Sequence, residues 1–338
     1  MTAKRAVQLS GYLLLAVMLL ATSTWGTLAL YFFDHESAPI RVGLAAGFAV
    51  MSLAVFIAMT APQWRWRGLG AYFVLFVVLL ASWCTIQPSN DREWQTEVAV
   101  LPHATINGDR VFVHRIRNFD YRAEQDFTVD YYDKMFDVRE LDSVDLVVSY
   151  WMGPAIAHVF LTFGFSDGEH LAVSIEARKE RTEAYSSLRG FFRQYELYYV
   201  VANERDVVRV RTNYRRDPPE DVYLYRLGVS RQNARRLFLE YMRAINALSD
   251  RPQFYNTLTT NCIGSIWLHT RVNPDHLPFS WKIFLSGYVP DFLYQAGKLK
   301  TALPFPELRQ RSHINAPAQA ADGSPDFSAR IRAAREEP

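Results

Sequence analysis

Hydrophobic and polar positions divide the chain into two unlike regions. Three apolar runs, Leu9–Phe33, Val42–Met59 and Leu69–Thr85, contain no Asp, Glu, Lys, Arg or His. Each run has about the 17–25 residues that let a helix cross the hydrocarbon core of a bilayer. Residues 1–88 are therefore predicted to form a membrane anchor of three transmembrane helices.

The charged residues that flank these runs predict the orientation of the anchor. Basic residues precede the first run and fill the second loop: Lys4, Arg5, Arg65 and Arg67. The first loop carries Asp34 and Glu36 against Arg41. Since basic loops stay cytoplasmic, the chain after about Pro88 is expected on the outer side of the membrane. A cleaved signal peptide is the alternative for the first run, but the run exceeds the usual 7–15 apolar residues and lacks a clear A-x-A site.

Between about Glu93 and Leu308 the pattern changes to short segments rich in Val, Tyr, Phe and Ile, which favour strands. The predicted strands are Val111–Phe119, Leu146–Trp151, Ala155–Phe165, His170–Arg178, Tyr195–Ala202, Val207–Asn213 and Val222–Gly228. Helical spacing predicts one clear helix over Arg231–Ala247 with Ser230 as its N-cap, and a shorter one starting at or just before Cys262. An α+β domain over 93–310 is expected, with a disordered tail over 315–338, where apolar periodicity is lost.

Phe-Ser-Asp-Gly-Glu at 165–169 lies between two predicted strands and carries a strong turn signal. A three-residue loop with a left-handed Gly168 pairs positions whose numbers sum to 334, which matches apolar residues with apolar residues on one face. On the other face this register sets His158 opposite Glu176. Directly opposed side chains have Cβ atoms about 4.5–5.5 Å apart, so the carboxylate is expected to orient the imidazole.

Only two cysteines are present, and a disulfide framework is not expected from them. Cys84 lies in an apolar run, whereas Cys262 follows the polar segment Tyr-Asn-Thr-Leu-Thr-Thr-Asn at 255–261. With Thr259, Thr260 or Asn261 as the N-cap, Cys262 falls in the first turn of a helix, where the dipole and free N–H groups stabilise a thiolate. Cys262, His158 and Glu176 are therefore the candidate nucleophile, base and orienting group.

Four further residues are expected to support the site. Arg178 shares a strand face with Glu176 and is expected to pair with Glu176 or Glu180, or to hold an anionic head group. Tyr255 and Asn256 are expected to shape the loop before Cys262, and Asn261 to help cap the helix. The histidines show no zinc-type spacing and no phosphate-binding loop is found, so neither a metal nor a cofactor is expected.

Several sequence patches recur in an order similar to that of the Lnb N-terminal periplasmic domain family. They are Arg-Asn-Phe-Asp-Tyr (117–121), Ala-His-Val-Phe-Leu-Thr-Phe-Gly-Phe (157–165), Ser-Ile-Glu-Ala-Arg (174–178), Tyr-Glu-Leu-Tyr-Tyr-Val (195–200), Glu-Arg-Asp (204–206), Arg-Thr-Asn (211–213) and Tyr-Asn-Thr-Leu-Thr-Thr-Asn-Cys (255–262). The resemblance implies a permuted papain-like fold with an antiparallel sheet and a Cys-bearing helix. The family's namesake is a lipoprotein N-acyltransferase, so a Cys thioester intermediate in acyl transfer is implied. The resemblance also implies that the multi-pass anchor lies in a bacterial cytoplasmic (inner) membrane, with the C-terminal domain in the periplasm or outside.

The expected function is a membrane-anchored thiol acyltransferase whose partner is a membrane lipid or lipoprotein. A thiol hydrolase of the cell envelope, acting on a peptide, amide or thioester, and a non-enzymatic envelope scaffold are the alternatives. The formal net charge of +2 gives no reason to expect nucleic acid as a partner, and nothing in the sequence indicates an oligomeric state.

Overall fold

The computed structural model describes residues 3–33 and 37–336; Asp34 and Glu36, used in the topology argument, lie outside the described residues. The chain divides into two compact units. The first consists of Met1–Pro88 together with Ser186–Gln194, and the second of Ser89–Tyr185 together with Tyr195–Pro338. Each unit is described separately below.

The first unit is built on helices α1 (Ala3–Tyr31), α2 (Ala38–Ala58) and α3 (Arg65–Thr85). All three are long and apolar enough to cross a membrane, which confirms the three predicted apolar helices. The helices approach closely at Gly26, where an added Cβ would lie 2.6 Å from the Phe48 ring. Small residues permit this kind of close packing between helices in a membrane, where burial of apolar surface does not drive association.

Ser186–Gln194, here called the return segment, also belongs to this unit. The sequence analysis had assigned it to the α+β domain over 93–310, called the exposed domain below. The Phe192 ring stacks on Phe32 at 5.3 Å and meets the edge of Trp83 at 6.1 Å. Gln194 Nε2 donates to the carbonyl of Phe32 at 2.7 Å, and Arg193 Nη1 donates to that of Trp83 at 2.8 Å. The return segment thus satisfies carbonyl groups at the ends of α1 and α3, which helix geometry leaves without intrahelical partners.

The second unit is organised around one large sheet. Its strands are β1 (His103–Asn107), β2 (Arg110–Arg117), β5 (Tyr131–Asp137), β6 (Leu141–Tyr150), β7 (Ala157–Phe165), β8 (His170–Arg178), β9 (Glu196–Asn203) and β10 (Asp221–Arg226). Strands β3 (Asp120–Ala123) and β4 (Asp126–Thr128) lie between β2 and β5 in the sequence and form a separate small hairpin. The sheet order is β1-β2-β9-β8-β7-β6-β10, with β5 also on β2. The pairings are antiparallel except for a parallel bridge between Arg117 and Ala202.

Helices cover the sheet. They are α4 (Glu204–Arg209), followed directly by a π-helical turn (Val210–Tyr214), α5 (Arg231–Asp250), α6 (Cys262–Thr270), α7 (Val289–Gln295), α8 (Phe305–Ser312), α9 (Asn315–Ala320) and α10 (Phe327–Glu336). Short 3-10 turns of this unit lie at Thr96–Val98, Val138–Glu140, Trp281–Ile283 and Ser286–Tyr288. Another, Arg189–Phe191, lies in the return segment of the first unit. The apolar stripes of α5 and α6 pack on one sheet face to form the main core, as the helical spacing predicts. Ser230 caps α5 by accepting from the amide of Asn233.

The predicted hairpin register is confirmed next to the loop. Leu161 pairs with Val173 and Phe163 with Leu171, so the paired numbers sum to 334. The predicted pairs further from the loop, up to His158 with Glu176, do not form because the strands separate after Leu161. Gly168 has φ +87°, a left-handed conformation that side-chain-bearing residues rarely adopt. The Asp-Gly turn signal and the apolar pattern therefore set this hairpin together.

Two predictions are wrong, for a related reason. Val207–Asn213 is helical rather than a strand because Asn203 caps α4, and buried ion pairs satisfy its polar residues, such as Asp206 with Arg117 at 2.7 Å. The tail expected to be disordered instead forms α9 and α10. Phe327 and Ile331 of α10 are buried, and Arg332 binds Asp145 and Glu204 inside the domain. In both places, tertiary pairing of charged side chains overrides local propensity.

Candidate active site

The large sheet splits between β7 and β8 at the end away from the hairpin loop. Pairing of these two strands extends only from Gly164↔His170 to Leu161↔Val173. Each strand nevertheless continues: β7 stays paired with β6 to Ala157, and β8 stays paired with β9 to Arg178. The backbone between residues 157–160 of one strand and 174–178 of the other is therefore available to a third element.

That third element is the start of α6. Asn261 is the N-cap, and its side-chain oxygen accepts from the amide of Gly264 at 2.7 Å. Asn256 shapes the preceding loop, because its side-chain oxygen accepts from the amides of Leu258 and Thr259. Cys262 thus becomes the first residue of the helix, buried and hydrogen-bonded to the Val159 backbone in the split strand.

The structure brings Cys262, His158 and Glu176 together. The thiol is hydrogen-bonded to the imidazole of His158. His158 Nε2 lies 2.7 Å from Ser174 Oγ and 3.1 Å from Glu176 Oε1, which assigns Nδ1 to the thiol. Ser174 Oγ itself donates to Glu176 Oε1 at 2.7 Å, so the hydroxyl and the carboxylate jointly fix the orientation of the ring.

The electrostatics of the three groups favour a thiolate–imidazolium pair. Burial opposes a charge on His158, but the Glu176 carboxylate and the Cys262 sulfur outweigh it and raise the pKa of the imidazole to about 9. Burial likewise opposes a charge on Cys262, yet the hydrogen bond and charge of His158 lower the pKa of the thiol. Glu176 is held ionised against its own burial by His158, Arg211 and Ser174, which keep the pKa of its carboxyl well below the usual value.

Arg211 is the main site residue that the sequence analysis missed. Its side chain is buried, and Nη2 donates to Glu176 Oε1 at 2.7 Å. Arg211 Nε also lies 4.0 Å from Glu220 Oε2, and Glu220 pairs with Arg215 at 2.8 Å. The Arg-Thr-Asn patch at 211–213 pointed to this region. Because the patch was predicted to lie in a strand, however, the direction of the Arg211 side chain could not be predicted. Ser174 had a clearer signal, since it precedes Glu176 by two residues and so shares its strand face.

Two of the expected supporting residues have different surroundings. Arg178 pairs with neither Glu176 nor Glu180. Its guanidinium donates to the carbonyls of Val98 and Ala99 and to the Asn90 side chain. It lies over the Trp94 ring at 4.1 Å, which identifies a packing role. Tyr255 is buried beside the site, hydrogen-bonded to Tyr185, and burial raises the pKa of its hydroxyl far above the usual value.

A cavity of about 280 Å³ opens beside His158 and Glu176. His158 and Glu176 form part of its wall, together with Trp151, Lys179, Tyr185, Arg211, Arg215 and Tyr255. The described residues contain no cluster of three or more His, Cys, Asp and Glu side chains arranged to hold a metal ion.

The first turn of α6 carries backbone donors beside the thiol. The amides at the start of a helix have no intrahelical acceptor, and the Asn261 cap engages that of Gly264. The amides of Cys262 and Ile263 precede it in the same turn, and amides in this position can stabilise an oxyanion. The arrangement is therefore one that could support attack by the thiol on a carbonyl.

Comparison with known proteins identifies the region that builds this site. No curated protein and no solved structure matches the chain. The model of one family does match, over residues 127–287, a stretch that contains the split strands, the π-helical turn and the Cys-bearing helix. The matching family is described as the Lnb N-terminal periplasmic domain, which is the family that the sequence patches indicated.

Proposed function

We propose that the protein is a thiol acyltransferase, anchored in the bacterial cytoplasmic membrane, that transfers acyl groups of lipids or lipoproteins through a thioester on Cys262. The observation that carries the proposal is the Cys262–His158 pair at the start of a helix, oriented by Glu176. The three apolar helices of the same chain support a lipid substrate, because such helices would tether the chain to a membrane.

The geometry supports a two-step reaction. The Cys262 thiolate attacks an ester carbonyl, forming a C–S bond while the oxyanion binds the amides of the first helical turn. Collapse breaks the ester C–O bond, and the His158 imidazolium gives its proton to the departing oxygen. His158 then accepts a proton from an attacking amine, a C–N bond forms, the C–S bond breaks and the thiolate is regenerated.

Intact mass spectrometry of the full-length protein purified from its native membrane tests this proposal. We expect a hydroxylamine-sensitive acyl adduct on Cys262 in the wild-type protein and its loss in Cys262→Ala. Turnover should fall by about four to six orders of magnitude in Cys262→Ser and Cys262→Ala, because the thiolate acts in the transition state. Cys84→Ser is the matched control. Wild-type turnover in Cys262→Ala would refute the thiol mechanism.

A thiol hydrolase of the cell envelope is the second candidate, favoured by the polar wall of the cavity beside His158, where Lys179, Arg211 and Glu220 lie. The two candidates share the thioester and differ in what resolves it. Supplying the acylated protein with an amine acceptor separates them: a transferase forms the amide, whereas a hydrolase releases free acid at the same rate with and without the amine.

A further inference from the structure

We infer that the apolar cavity beneath α6 is a binding site for the acyl chain carried by Cys262, an inference that rests on the proposed function. The cavity measures about 130 Å³ and lies between the sheet and helices α5, α6 and α7. Its apolar lining includes Leu161, Leu237, Ile263, Ile266, Val289 and Leu293. It is separate from the polar cavity beside His158, with which it shares no lining residue.

The position of the cavity relative to the thiol carries the first step. Ile263 follows Cys262 directly. Ile266 lies four residues after Cys262, so it is about one helical turn further along the same face of α6 as Cys262. Leu161 is the last β7 residue paired with β8, at the point where the split that holds the thiol begins. The lining of the cavity therefore begins at the residue next to Cys262, in the first turn of α6.

The chemistry of the cavity carries the second step. Among its polar lining residues, Asp275 binds Asn233 at 2.5 Å and Lys298 at 3.1 Å. Most of the lining residues are aliphatic or aromatic, which suits an alkyl chain and offers little to a peptide backbone. An apolar cavity of about 150 Å³ is known to hold a benzene ring, so this one has room for the carbonyl-proximal part of a chain.

A continuous row of exposed aromatic rings provides a place for the rest of the chain. Trp267, which lines the cavity, meets the edge of Phe279 at 5.5 Å, and Phe279 meets Phe284 at 5.4 Å. Phe279, Phe284 and the nearby Trp281 are 53%, 46% and 60% exposed. A cluster of exposed large apolar side chains marks a site of interaction, and its continuity with the cavity makes an acyl chain the occupant.

Chain-length preference tests the inference in the full-length protein in detergent. Val229→Trp and Leu293→Trp place bulk in the cavity, and Val129→Trp is a control at a similarly exposed valine outside it. The rate of Cys262 acylation by p-nitrophenyl octanoate and by p-nitrophenyl acetate is followed by intact mass spectrometry. We expect the two cavity variants to lose about tenfold or more with octanoate. Acetate should react at the wild-type rate, which also reports an intact fold.

A second measurement does not depend on chemistry. Cys262→Ala protein is incubated with a diazirine-bearing fatty acid, irradiated and digested, and the crosslinked peptides are identified. Crosslinks concentrated on α6 and α7 support the cavity. If these crosslinks form but the wild-type protein carries no acyl adduct, the acyl-chain site is supported and the proposed acyltransferase activity is refuted. An unchanged octanoate-to-acetate ratio in both cavity variants, or crosslinks confined to other surfaces, would overturn the inference.

Discussion

His158 illustrates how one residue acquires its chemistry from several elements. Strand β7 supplies the imidazole, β8 supplies Ser174 and Glu176, and the π-helical turn supplies the Arg211 that holds Glu176. The hairpin register predicts the pairing of His158 with Glu176, because two strands joined by a short loop are local in sequence. Contact with Cys262 and Arg211 could not be predicted, since each reaches the site through tertiary packing and no local pattern specifies it.

The pH dependence of acylation follows from these groups. The pKa of His158 is raised to about 9, so the imidazolium that protonates the leaving oxygen is present below this pH and lost as pH rises through it. The lowered pKa of Cys262 favours the thiolate over the thiol at a given pH. We expect the rate of Cys262 acylation by an ester to fall above about pH 9, while labelling by iodoacetamide, which needs only the thiolate, stays level.

Stopped-flow measurements of both reactions across the pH range provide the check, with Cys84→Ser protein used to keep labelling specific. An acylation rate that climbs past pH 9 in parallel with labelling would show that His158 does not act as the acid.

Glu176→Gln tests the orienting carboxylate. The amide keeps the shape of the side chain but removes the charge that chiefly offsets the burial of His158, so the pKa of the imidazole should fall. The alkaline limb of acylation should then move to lower pH, and labelling of Cys262 should need a higher pH. Glu169→Gln, on the exposed hairpin loop, is the control and should leave both profiles unchanged. Identical profiles for Glu176→Gln and wild type would assign Glu176 a packing role alone.

At the level of elements, the C-terminal helix α10 shows where charge outweighs composition. Arg332 is 5% exposed and lies 3.0 Å from Asp145 and 2.6 Å from Glu204, and these contacts hold the pKa of the Glu204 carboxyl at about 2 despite its burial. A segment rich in Ala and charge has no apolar period to mark it as a helix. Its order depends on partners far away in the sequence, which explains why disorder was the wrong expectation.

Arg332→Met should therefore destabilise the exposed domain. The substitution retains the apolar stem but leaves two buried carboxylates short of a partner, a change that typically costs about 3–5 kcal/mol. The urea midpoint of unfolding, followed by tryptophan fluorescence of the detergent-solubilised protein, measures the loss. Arg330→Met, two residues away and 55% exposed at its side chain, removes a surface pair and should cost about 0.5 kcal/mol or less. Equal midpoints for the two variants would contradict the role of Arg332.

Most strands were predictable within a few residues, because β7, β8 and β9 are apolar runs bounded by turns. Strands β1, β3, β4 and β5 were not predicted, and the polar, exposed residues of β3 and β4 carry no clear alternation. The start of α5 was predicted from its capping residue Ser230, and that of α6 from a choice of Thr259, Thr260 or Asn261, of which Asn261 is the cap. Local signals thus predict the more regular elements, whereas the split between β7 and β8 exists only in the assembled sheet.

At the scale of the whole molecule, the distribution of basic residues predicts how the chain is oriented in the membrane. Alkaline phosphatase fused after Asn90 should be active, because the enzyme folds only outside the cytoplasm, and the same fusion after Gly68 should be inactive. A cytoplasmic reporter at the two sites should give the opposite pattern. Matching activity at both positions would show that Gly68 and Asn90 lie on the same side of the membrane and would refute the three-span model.

The return segment has a consequence for the order in which the protein is made. Its residues emerge from the ribosome only after β8, yet Phe192 and Gln194 complete the packing around Phe32 and Trp83 of the first unit. The packing of the helical anchor is thus completed late in synthesis. The segment that completes it lies, in the sequence, between the two stretches of chain that form the second unit. Neither unit corresponds to a single stretch of the coding sequence, so no one cut in the gene yields either of them whole.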